Sequence, residues 1–212
     1  MHIPGKFKQD NGAELEGVIR DYPFATLVTY SSSGIAANHL PMVLTEVNGK
    51  KVLQAHIARA NPLWKTVSEQ SEVLVIFNGP HCYISPNHYP TKQETGRAVP
   101  TWNYVVVHVT GVMRYVQDEN WLRAFIDNLT TRHEAGQPVP WSTSEAPQGY
   151  IQKMLPAIVG LEIDITSMTG QWKLSQNQPE QNRLGVIAGL SSERDSQHQQ
   201  VAALVKAQMT AK

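Results

Sequence analysis

The sequence predicts an antiparallel β-barrel with helices packed outside it. Three observations favour this class: about six strand-like segments, hairpin signals early in the chain, and few helices that could cross between parallel strands. The glycine-rich patterns G-x-G-x-x-G after the first strand and G-x-x-x-x-G-K-[S/T] are both missing from the sequence. A doubly wound parallel sheet is therefore not expected.

The strands are predicted from apolar or alternating runs. Asn48-Gly49 is a hairpin signal, so the runs on either side of it are expected to pair. The run from Glu72 to Asn78 is continuously apolar, which predicts a strand buried on both faces, and Gly79-Pro80 is expected to turn it. Residues 159–166 alternate apolar and acidic positions, as in an antiparallel strand with one wet face. The predicted strands are 24–30, 35–44 with a break at Pro41, 51–58, 72–78, 103–116 and 159–166, with 81–85 as a candidate continuation.

The helices are predicted from apolar faces and from caps. Leu15, Val18 and Ile19 share one face of a helix that Pro23 ends. Asn61-Pro62 supplies an N-cap and a first helical residue. Residues 86–100 form a long loop, which at this length is usually functional or mobile. The predicted helices are 13–21, 61–70, 118–134, one beginning near Ser144, and 197–212.

Composition narrows the class of protein. The 212 residues suit one large domain, or one domain with an appended piece. Lys plus Arg and Asp plus Glu both number 18, which weakens nucleic-acid binding as a first hypothesis without excluding it. The single cysteine, Cys82, fits a reducing compartment. The N-terminus lacks the apolar core of a signal peptide, and no apolar run reaches the roughly 20 residues that span a bilayer. We therefore expect a cytoplasmic protein with no membrane segment.

The most informative segment is Val99-Pro100-Thr101-Trp102-Asn103-Tyr104. It places a hydroxyl, an indole and an amide just before a long apolar run. Pockets for flat, heteroatom-rich ligands combine aromatic walls with a few fixed hydrogen-bonding groups. The alternative is a loop in which Trp102 only covers a core.

A second candidate site lies in the segment from His56 to Pro62. Arg59 follows a strand and precedes the capped helix at Asn61, so a guanidinium and free backbone N–H groups would lie together. That combination suits a phosphate, and His56 could add a donor. The alternative is a solvated Arg59 beside an Asn61 that only caps the helix.

Two further segments are candidates. In Gly170–Asn177, Lys173 could reach a phosphate or a ring carbonyl, and Ser175 offers a short hydrogen-bonding group; a solvated Lys173 is the alternative. In His81–Pro86, Tyr83 or Ser85 could line a site. His81 and Cys82 are neighbours on a strand and point to opposite faces, so a catalytic pair is not expected. No zinc pattern occurs, so no metal site is predicted, and no catalytic residue is assigned.

Taken together, these segments resemble the PaiB-like family of FMN-binding negative transcriptional regulators. The matching segments cover nearly the whole chain and occur in the same order as in the family. They identify the family only when they are taken together. The matching segments are Met1–Pro4, Pro23–Thr29, His39–Pro41, His56–Pro62, Gly79–Pro86, Val99–Tyr104, Arg132–Glu134 and Trp172–Asn177.

The resemblance implies an FMN-binding split β-barrel, similar to pyridoxamine-phosphate oxidase, in which a homodimer holds the flavin between its subunits. We expect residues 1–190 to form this domain and 191–212 to form a helical tail packed on it. Arg59 and the helix end at Asn61 would hold the phosphate; Thr101, Trp102 and Asn103 would meet the ring; Lys173 and Ser175 would approach from the partner or an adjacent strand. The cofactor-binding residues expected are His56, Arg59, Asn61, Tyr83, Ser85, Thr101, Trp102, Asn103, Lys173 and Ser175.

The sequence is consistent with three functions. The first is an FMN-binding regulator that senses redox state, and the second is a flavin-dependent oxidoreductase acting on a small molecule. The third is a split barrel that holds haem in place of flavin, with His39, His56 or His108 as its ligand. The resemblance also implies repression of transcription, but the sequence contains no helix-turn-helix with basic recognition residues, so DNA is a weakly supported partner.

Overall fold

A computed structural model describes residues 1–210. The strands of this part of the chain are β1 (Lys8–Gln9), β2 (Phe24–Ser31), β3 (Gly34–Pro41), β4 (Val43–Val47), β5 (Lys50–Ala58), β6 (Ser71–Ile84), β7 (Thr101–Val116) and β8 (Ile158–Lys173). The helices are α1 (Gly12–Asp21), α2 (Leu63–Thr66), α3 (Thr91–Thr95), α4 (Glu119–Glu134), α5 (Tyr150–Met154), α6 (Glu180–Ser191) and α7 (Ser196–Thr210). Short 3-10 turns lie at Gly5–Phe7, Pro86–His88, Thr143–Glu145 and Leu155–Ala157.

The strands form a sheet in the order β3-β2-β6-β7-β8-β5-β4, and β1 pairs with β8. The pairings of β1 with β8, β2 with β3 and β6, and β5 with β4 and β8 are antiparallel. The β5–β8 register runs from Val52 opposite Asp164 to Ala58 opposite Ile158. The mainly antiparallel architecture predicted from the hairpin signals is therefore confirmed.

The chain forms two compact units, and each is described by itself. Unit 1 comprises Met1–Tyr22, Phe77–His108 and the described residues from Thr169 onward, and unit 2 comprises Pro23–Ile76 and Val109–Met168. Each unit has a buried apolar core. Unit 1 buries Phe7, Leu15, Ile19, Phe77, Ile84, Val105, Val107, Leu174, Val186, Leu190, Val201 and Val205. Unit 2 buries Leu27, Val52, Leu53, Ile57, Val73, Val75, Val109, Met113, Leu122, Phe125, Val159, Leu161 and Ile163.

The helices predicted at 13–21 and 118–134 and the hairpin predicted at Asn48-Gly49 are present in the structure, which also shows how the two helices are capped. The Asn11 side chain caps α1 by accepting the Ala13 N–H at 2.9 Å. Asn48 and Gly49 have φ angles of 52° and 76°, the two positive values that a tight type I′ hairpin requires. The Asp118 side chain caps α4 through the Trp121 N–H at 2.8 Å.

The helix predicted over 61–70 is wrong in length, because α2 ends at Thr66. The Val67 carbonyl oxygen, which a longer helix would bond to the Ser71 N–H, lies 2.9 Å from the Tyr115 hydroxyl instead. Gln70 has a φ of 64° and donates its N–H to the Met113 carbonyl oxygen. Contacts from a strand distant in sequence therefore end the helix.

The prediction for the strand at 72–78 is wrong in two respects. β6 runs straight through Gly79-Pro80 to Ile84, and Leu74 and Ile76 are half-buried, so one face only is fully buried. Gly79 lies in the extended strand and its backbone packs closely on β7: a Cβ there would lie 3.1 Å from the Val105 side chain.

Other differences concern the helices. The helix expected near Ser144 is a 3-10 turn followed by α5, and the loop at 86–100 contains a 3-10 turn and α3. The helix α6, which was not predicted, carries Gly185 and Gly189, which weaken the helical signal. The predicted helix at 197–212 is α7, although its residues 211 and 212 lie outside the described residues. Within residues 1–210, no helix combines the length and the apolar character needed to cross a membrane.

Candidate functional site

In unit 1, two segments singled out in the sequence come together. The Lys173 Nζ atom donates a 2.6 Å hydrogen bond to the Thr101 hydroxyl, and the Asn103 Nδ2 atom donates a 2.9 Å hydrogen bond to the Ser175 hydroxyl. Both pairs span 72 residues of sequence and join the start of β7 to the end of β8 and the turn that follows it. The four residues form one polar cluster, which we call the β7–β8 cluster.

The inner part of the β7–β8 cluster is fully buried. Asn103 and Ser175 are 1% and 2% exposed. Ser175 has a φ of 63°, a conformation that costs a non-glycine residue free energy and persists only where its surroundings hold it. The Gln176 side chain holds this turn by accepting the Leu174 N–H at 2.7 Å and donating to the Trp172 carbonyl oxygen at 2.6 Å. A buried, constrained polar turn of this kind is typical of a binding site.

One oxygen of the cluster is without a partner. Among the described residues, none hydrogen-bonds to the buried Asn103 Oδ1 atom. Buried amide oxygens are nearly always paired, so an unpaired one needs an explanation such as a bound ligand or water. Asn103 therefore presents an acceptor that its own protein does not use.

Lys173 forms the half-buried end of the cluster. Its ammonium lies 5.9 Å from the centre of the Tyr104 ring, within the range of a cation–π contact. Burial lowers the pKa of Lys173 below its ordinary value. This side chain can donate hydrogen bonds to an anionic or carbonyl group and can release a proton more readily than a solvated lysine.

The aromatic residues beside the cluster are exposed. Trp102 is 52% exposed and Tyr83 46%, so Trp102 does not simply cover a core. The ring centres of His81 and Tyr83 lie 5.8 and 6.4 Å from that of Trp102. Ser85 is engaged locally, because its hydroxyl accepts the Asn87 N–H at 3.2 Å. Tyr83 and Trp102 are thus available for stacking, whereas Ser85 caps a turn.

In unit 2, Arg59 is largely engaged by its own fold. Its Nε atom donates to the Pro156 carbonyl oxygen at 2.6 Å, Nη1 to Gln117 Oε1 at 2.9 Å, and Nη2 to the Ile158 carbonyl oxygen at 3.0 Å. The guanidinium also lies 5.4 Å from the Trp64 ring. A guanidinium has five N–H donors, so two stay available for a phosphate.

Asn61 and His56 occupy different surroundings in unit 2. Asn61 accepts the Leu63 N–H at 2.9 Å, as a cap does, and donates from Nδ2 to Asn38 Oδ1 at 2.8 Å. The His56 ring contacts the Phe125 ring edge to face at 5.8 Å, and its buried Nδ1 atom has no hydrogen-bond partner within residues 1–210. Burial lowers the pKa of His56, which favours the neutral imidazole.

A cleft of about 490 Å³ opens beside Asn61 in unit 2. Its size is that of a small-molecule site. Thr29, which is 3% exposed, lines it, and the described part of the chain offers no partner to the buried Thr29 hydroxyl. Among apolar residues, the lining offers hydroxyl and amide groups from Thr29, Ser31, Ser33, Asn38, Asn61 and Thr66. Neither Thr29 nor Asn38 was expected at a site from the sequence, although Thr29 ends the matching segment Pro23–Thr29 and Asn38 directly precedes His39–Pro41.

The histidine and cysteine residues give no sign of a metal centre. No group of three His, Cys, Asp or Glu side chains in residues 1–210 is arranged to hold a metal ion. His39 Nδ1 lies 3.1 Å from the Thr26 hydroxyl. In unit 1, burial and then the N-terminal ammonium lower the pKa of His108. Burial, followed by the charges of Glu193 and Asp195, raises the pKa of Cys82 to about 12, so its thiol is a poor nucleophile.

The chain is similar to known proteins in sequence and in fold. A family model described as "Putative FMN-binding domain" matches residues 1–167. Protease synthase and sporulation protein PAI 2 of Bacillus subtilis is 30% identical over 97% of both chains. An uncharacterized protein of Emericella nidulans, AN0679, is 33% identical over 84% of this chain and 85% of its own.

Two solved structures share the fold. The flavocytochrome Anf3 of Azotobacter vinelandii has a TM-score of 0.60 at 11% identity, covering 81% of this chain and 72% of that one. The FAD and haem binding protein of Mycobacterium smegmatis has a TM-score of 0.59 at 16% identity, covering 86% and 80%. The predicted antiparallel split β-barrel with peripheral helices is thereby confirmed as the fold class.

The residues described above fit an FMN cofactor. FMN carries a phosphate, a polyol chain and a ring edge on which donors and acceptors alternate. Within unit 1, the Asn103 Oδ1 atom can accept from such groups and the Lys173 ammonium can donate to them. Within unit 2, the Thr29 hydroxyl can accept and the free N–H groups of Arg59 can donate. On the matches to its sequence, the chain belongs to the FMN-binding domain family, with FMN as its cofactor.

Proposed function

We propose that this protein is an FMN-binding negative regulator that responds to the redox state of its flavin. Similarity to protein PAI 2 over 97% of both chains supports the regulatory role, and the FMN-binding family supports the flavin. When bound, FMN supplies reversible transfer of one or two electrons. We place this activity in the cytoplasm, since the single cysteine fits a reducing compartment.

The observation that carries this proposal is the β7–β8 cluster. The hydrogen bond to Thr101 orients the Lys173 ammonium, so that the ammonium can be presented to an electron-rich ring edge or a phosphate. Asn103 is held by Ser175 and offers its Oδ1 atom as an acceptor. A cluster that combines a cation, a fixed acceptor and exposed aromatic neighbours favours a small redox cofactor over a nucleic acid.

The direct test is spectroscopic. Freshly purified protein is expected to be yellow, with flavin absorption bands, and to release FMN on denaturation. A Soret band in place of the flavin bands would contradict the proposal and favour haem. FMN titration of Lys173→Met and Thr101→Val, with the exposed Lys153→Met as control, then tests the β7–β8 cluster. Unchanged affinity in both cluster variants would remove these two residues from the cofactor site.

We propose further that the functional form is a homodimer, and that the exposed side of the β2–β3 hairpin forms its interface. Tyr30 and Ile35 are 74% and 78% exposed, and they flank an apolar groove that Val28 and Leu74 also line. Exposed apolar patches of this kind commonly mark association sites. Light scattering is expected to give twice the chain mass for the wild type and the chain mass for Ile35→Glu. The control Val139→Glu, at a site 84% exposed, should stay dimeric.

The route of repression is tested separately. Acidic and basic residues balance at 18 each, so no overall basic excess would attract DNA. We therefore propose that regulation acts through the flavin and a partner other than DNA. A gel-shift assay at modest salt is expected to show no retention of DNA by either the oxidised or the reduced protein. Specific retention of one fragment would establish direct repression instead.

A flavin-dependent oxidoreductase is the second candidate function. The lowered pKa of Lys173, caused by burial, favours it, because such an ammonium can pass a proton to a reacting group. Steady consumption of NADH or NADPH with a small acceptor would support the enzyme over the regulator. Lys173→Met should then lower the rate while leaving the Tm within the range of the Lys153→Met control.

A further inference from the structure

A second cleft, of about 570 Å³, lies within unit 1, and none of the residues proposed to bind FMN lines it. It opens where the segment from Asn87 to Glu94 faces α6, and Gly185 and Gly189 form its α6 side. We refer to it as the α6 cleft. Its volume falls in the range of small-molecule sites.

One wall of the α6 cleft forms where the backbone of α6 closely approaches His88. Gly185 and Gly189 lie one helical turn apart and both face His88. A Cβ at Gly185 would lie 2.1 Å from the His88 carbonyl oxygen, and one at Gly189 would lie 2.6 Å from Cδ2 of the His88 ring. The segment is also tied to α6 by the buried Asn182, whose Oδ1 atom accepts from the Thr91 hydroxyl at 3.0 Å.

Unpaired polar atoms concentrate at this wall. Tyr89 lines the cleft and is 4% exposed, and in residues 1–210 no group pairs with its hydroxyl. The buried His88 Nδ1 atom, in the same lining, likewise has no partner in the described part of the chain. Buried groups without a partner call for an explanation, and a bound molecule or water that completes their hydrogen bonds supplies one.

The chemistry of the lining selects a cation. Glu94 supplies an acidic side chain, and the Gln93 amide oxygen, the His88 ring nitrogen and the Tyr89 oxygen can accept hydrogen bonds. Asn87 Oδ1 already accepts from an ammonium of the chain itself, that of Lys92, at 2.5 Å. An acidic group among acceptors favours an ammonium and disfavours an anion.

We propose that the α6 cleft is a binding site for a small molecule that carries a protonated amine. The site is separate from the FMN proposal, since none of the residues assigned to FMN lines it. It gives the segment at 86–95 a role in holding a ligand against α6.

The test uses three probes of one size that differ in charge: ethanolamine, ethylene glycol and glycolate. Titration of the full-length, isotope-labelled protein is followed through the backbone amide signals of Gly185 and Gly189. Ethanolamine is expected to shift both signals saturably, ethylene glycol to bind at least about tenfold more weakly, and glycolate to leave them unmoved.

Variants separate the ligand from the fold. Glu94 is exposed, so Glu94→Gln should fold normally and weaken ethanolamine binding by about tenfold. Glu180→Gln, also exposed and on α6 outside the cleft, is the matched control and should bind as the wild type does. Equal binding of all three probes, or wild-type binding by Glu94→Gln, would overturn the proposal. Absence of any shift at the two glycine signals would overturn it as well and would assign the unpaired atoms to ordered water.

Discussion

The Arg59 Nη2 atom donates a 3.0 Å hydrogen bond to the carbonyl oxygen of Ile158, joining the end of β5 to the start of β8. The same side chain donates from Nε to the Pro156 carbonyl oxygen. The residue that the sequence marks as a phosphate ligand therefore also holds the backbone of unit 2 in place. Its two roles can be separated by experiment.

We expect Arg59→Ala to lower the free energy of unfolding by about 2 kcal/mol, because two backbone carbonyl oxygens lose charged donors. Urea unfolding of the FMN-free protein measures this loss. If the remaining N–H groups bind the phosphate, FMN affinity should also fall, by about 1.5–3 kcal/mol.

The control is Arg59→Lys, which keeps the charge and loses the planar fork of donors. If Arg59→Lys binds FMN well but unfolds at lower urea, phosphate binding depends on the positive charge of residue 59, and the stability of the fold depends on its planar set of N–H donors. Unchanged FMN content in Arg59→Ala would contradict the phosphate prediction.

A second prediction concerns Ser175, which combines a buried hydroxyl with a positive φ. Ser175→Ala should destabilise the protein by about 1–3 kcal/mol, because the buried Asn103 amide loses its acceptor. Ser175→Gly loses the same hydroxyl but adopts a positive φ without strain, so it should be about 1 kcal/mol more stable than the alanine variant. Thermal unfolding of the two variants side by side checks this order, and the reverse order would mean that backbone strain at Ser175 is negligible.

The lowered pKa of Glu162 leads to a prediction of how the stability of the protein depends on pH. This side chain is 5% exposed and accepts hydrogen bonds from Gln54 at 2.7 Å, Arg114 at 2.9 Å and Trp121 at 3.3 Å. Burial acts to raise the pKa of Glu162, but the hydrogen bonds from Gln54 and Arg114, the Arg114 charge and the Trp121 N–H outweigh it, so the pKa lies below its usual 4.5.

Because the folded pKa of Glu162 is lower than the unfolded one, the unfolded chain binds more protons as the pH falls between the two values. The stabilisation by Glu162 is therefore complete above pH 4.5 and is lost as the pH falls through the folded pKa. The difference in unfolding free energy between wild type and Glu162→Gln should shrink below pH 4.5. A difference that stays constant across this range would show that the ion pair with Arg114 does not contribute.

Replacing glycine by alanine is expected to have opposite effects on stability at Gly111 and at Gly17. A Cβ at Gly111 would lie 2.6 Å from the backbone oxygen of Asp164, so Gly111→Ala should destabilise unit 2 by about 1–3 kcal/mol. Gly17 lies within α1 with nothing within 4 Å of such a Cβ, and Gly17→Ala should stabilise the protein by about 1 kcal/mol. Denaturant unfolding of both variants tests the pair, and a neutral Gly111→Ala would mean that β7 and β8 can move apart at little cost.

The sequence was sufficient where a signal is local. The apolar faces at 13–21 and 118–134 predicted α1 and α4, and Asn48-Gly49 forms its turn from its own φ angles. The alternation at 159–166 also predicted a strand, and β8 runs from Ile158 to Lys173. These features depend only on residues that are neighbours in the sequence, so a local sequence pattern is enough to predict them. The wet face expected at 159–166 is wrong at Glu162, which is 5% exposed because its carboxylate is buried in hydrogen bonds with Gln54, Arg114 and Trp121.

Tertiary structure decided the features that depend on distant atoms. The Tyr115 hydroxyl binds the Val67 carbonyl oxygen at the end of α2 from 48 residues away, and the backbone of β6 at Gly79 packs closely against Val105 of β7. The sequence marked Thr101 and Lys173 separately, but only folding places their side chains 2.6 Å apart. A hydrogen bond between such residues forms only after the sheet has paired, because strand register, not local conformational preference, determines which side chains meet.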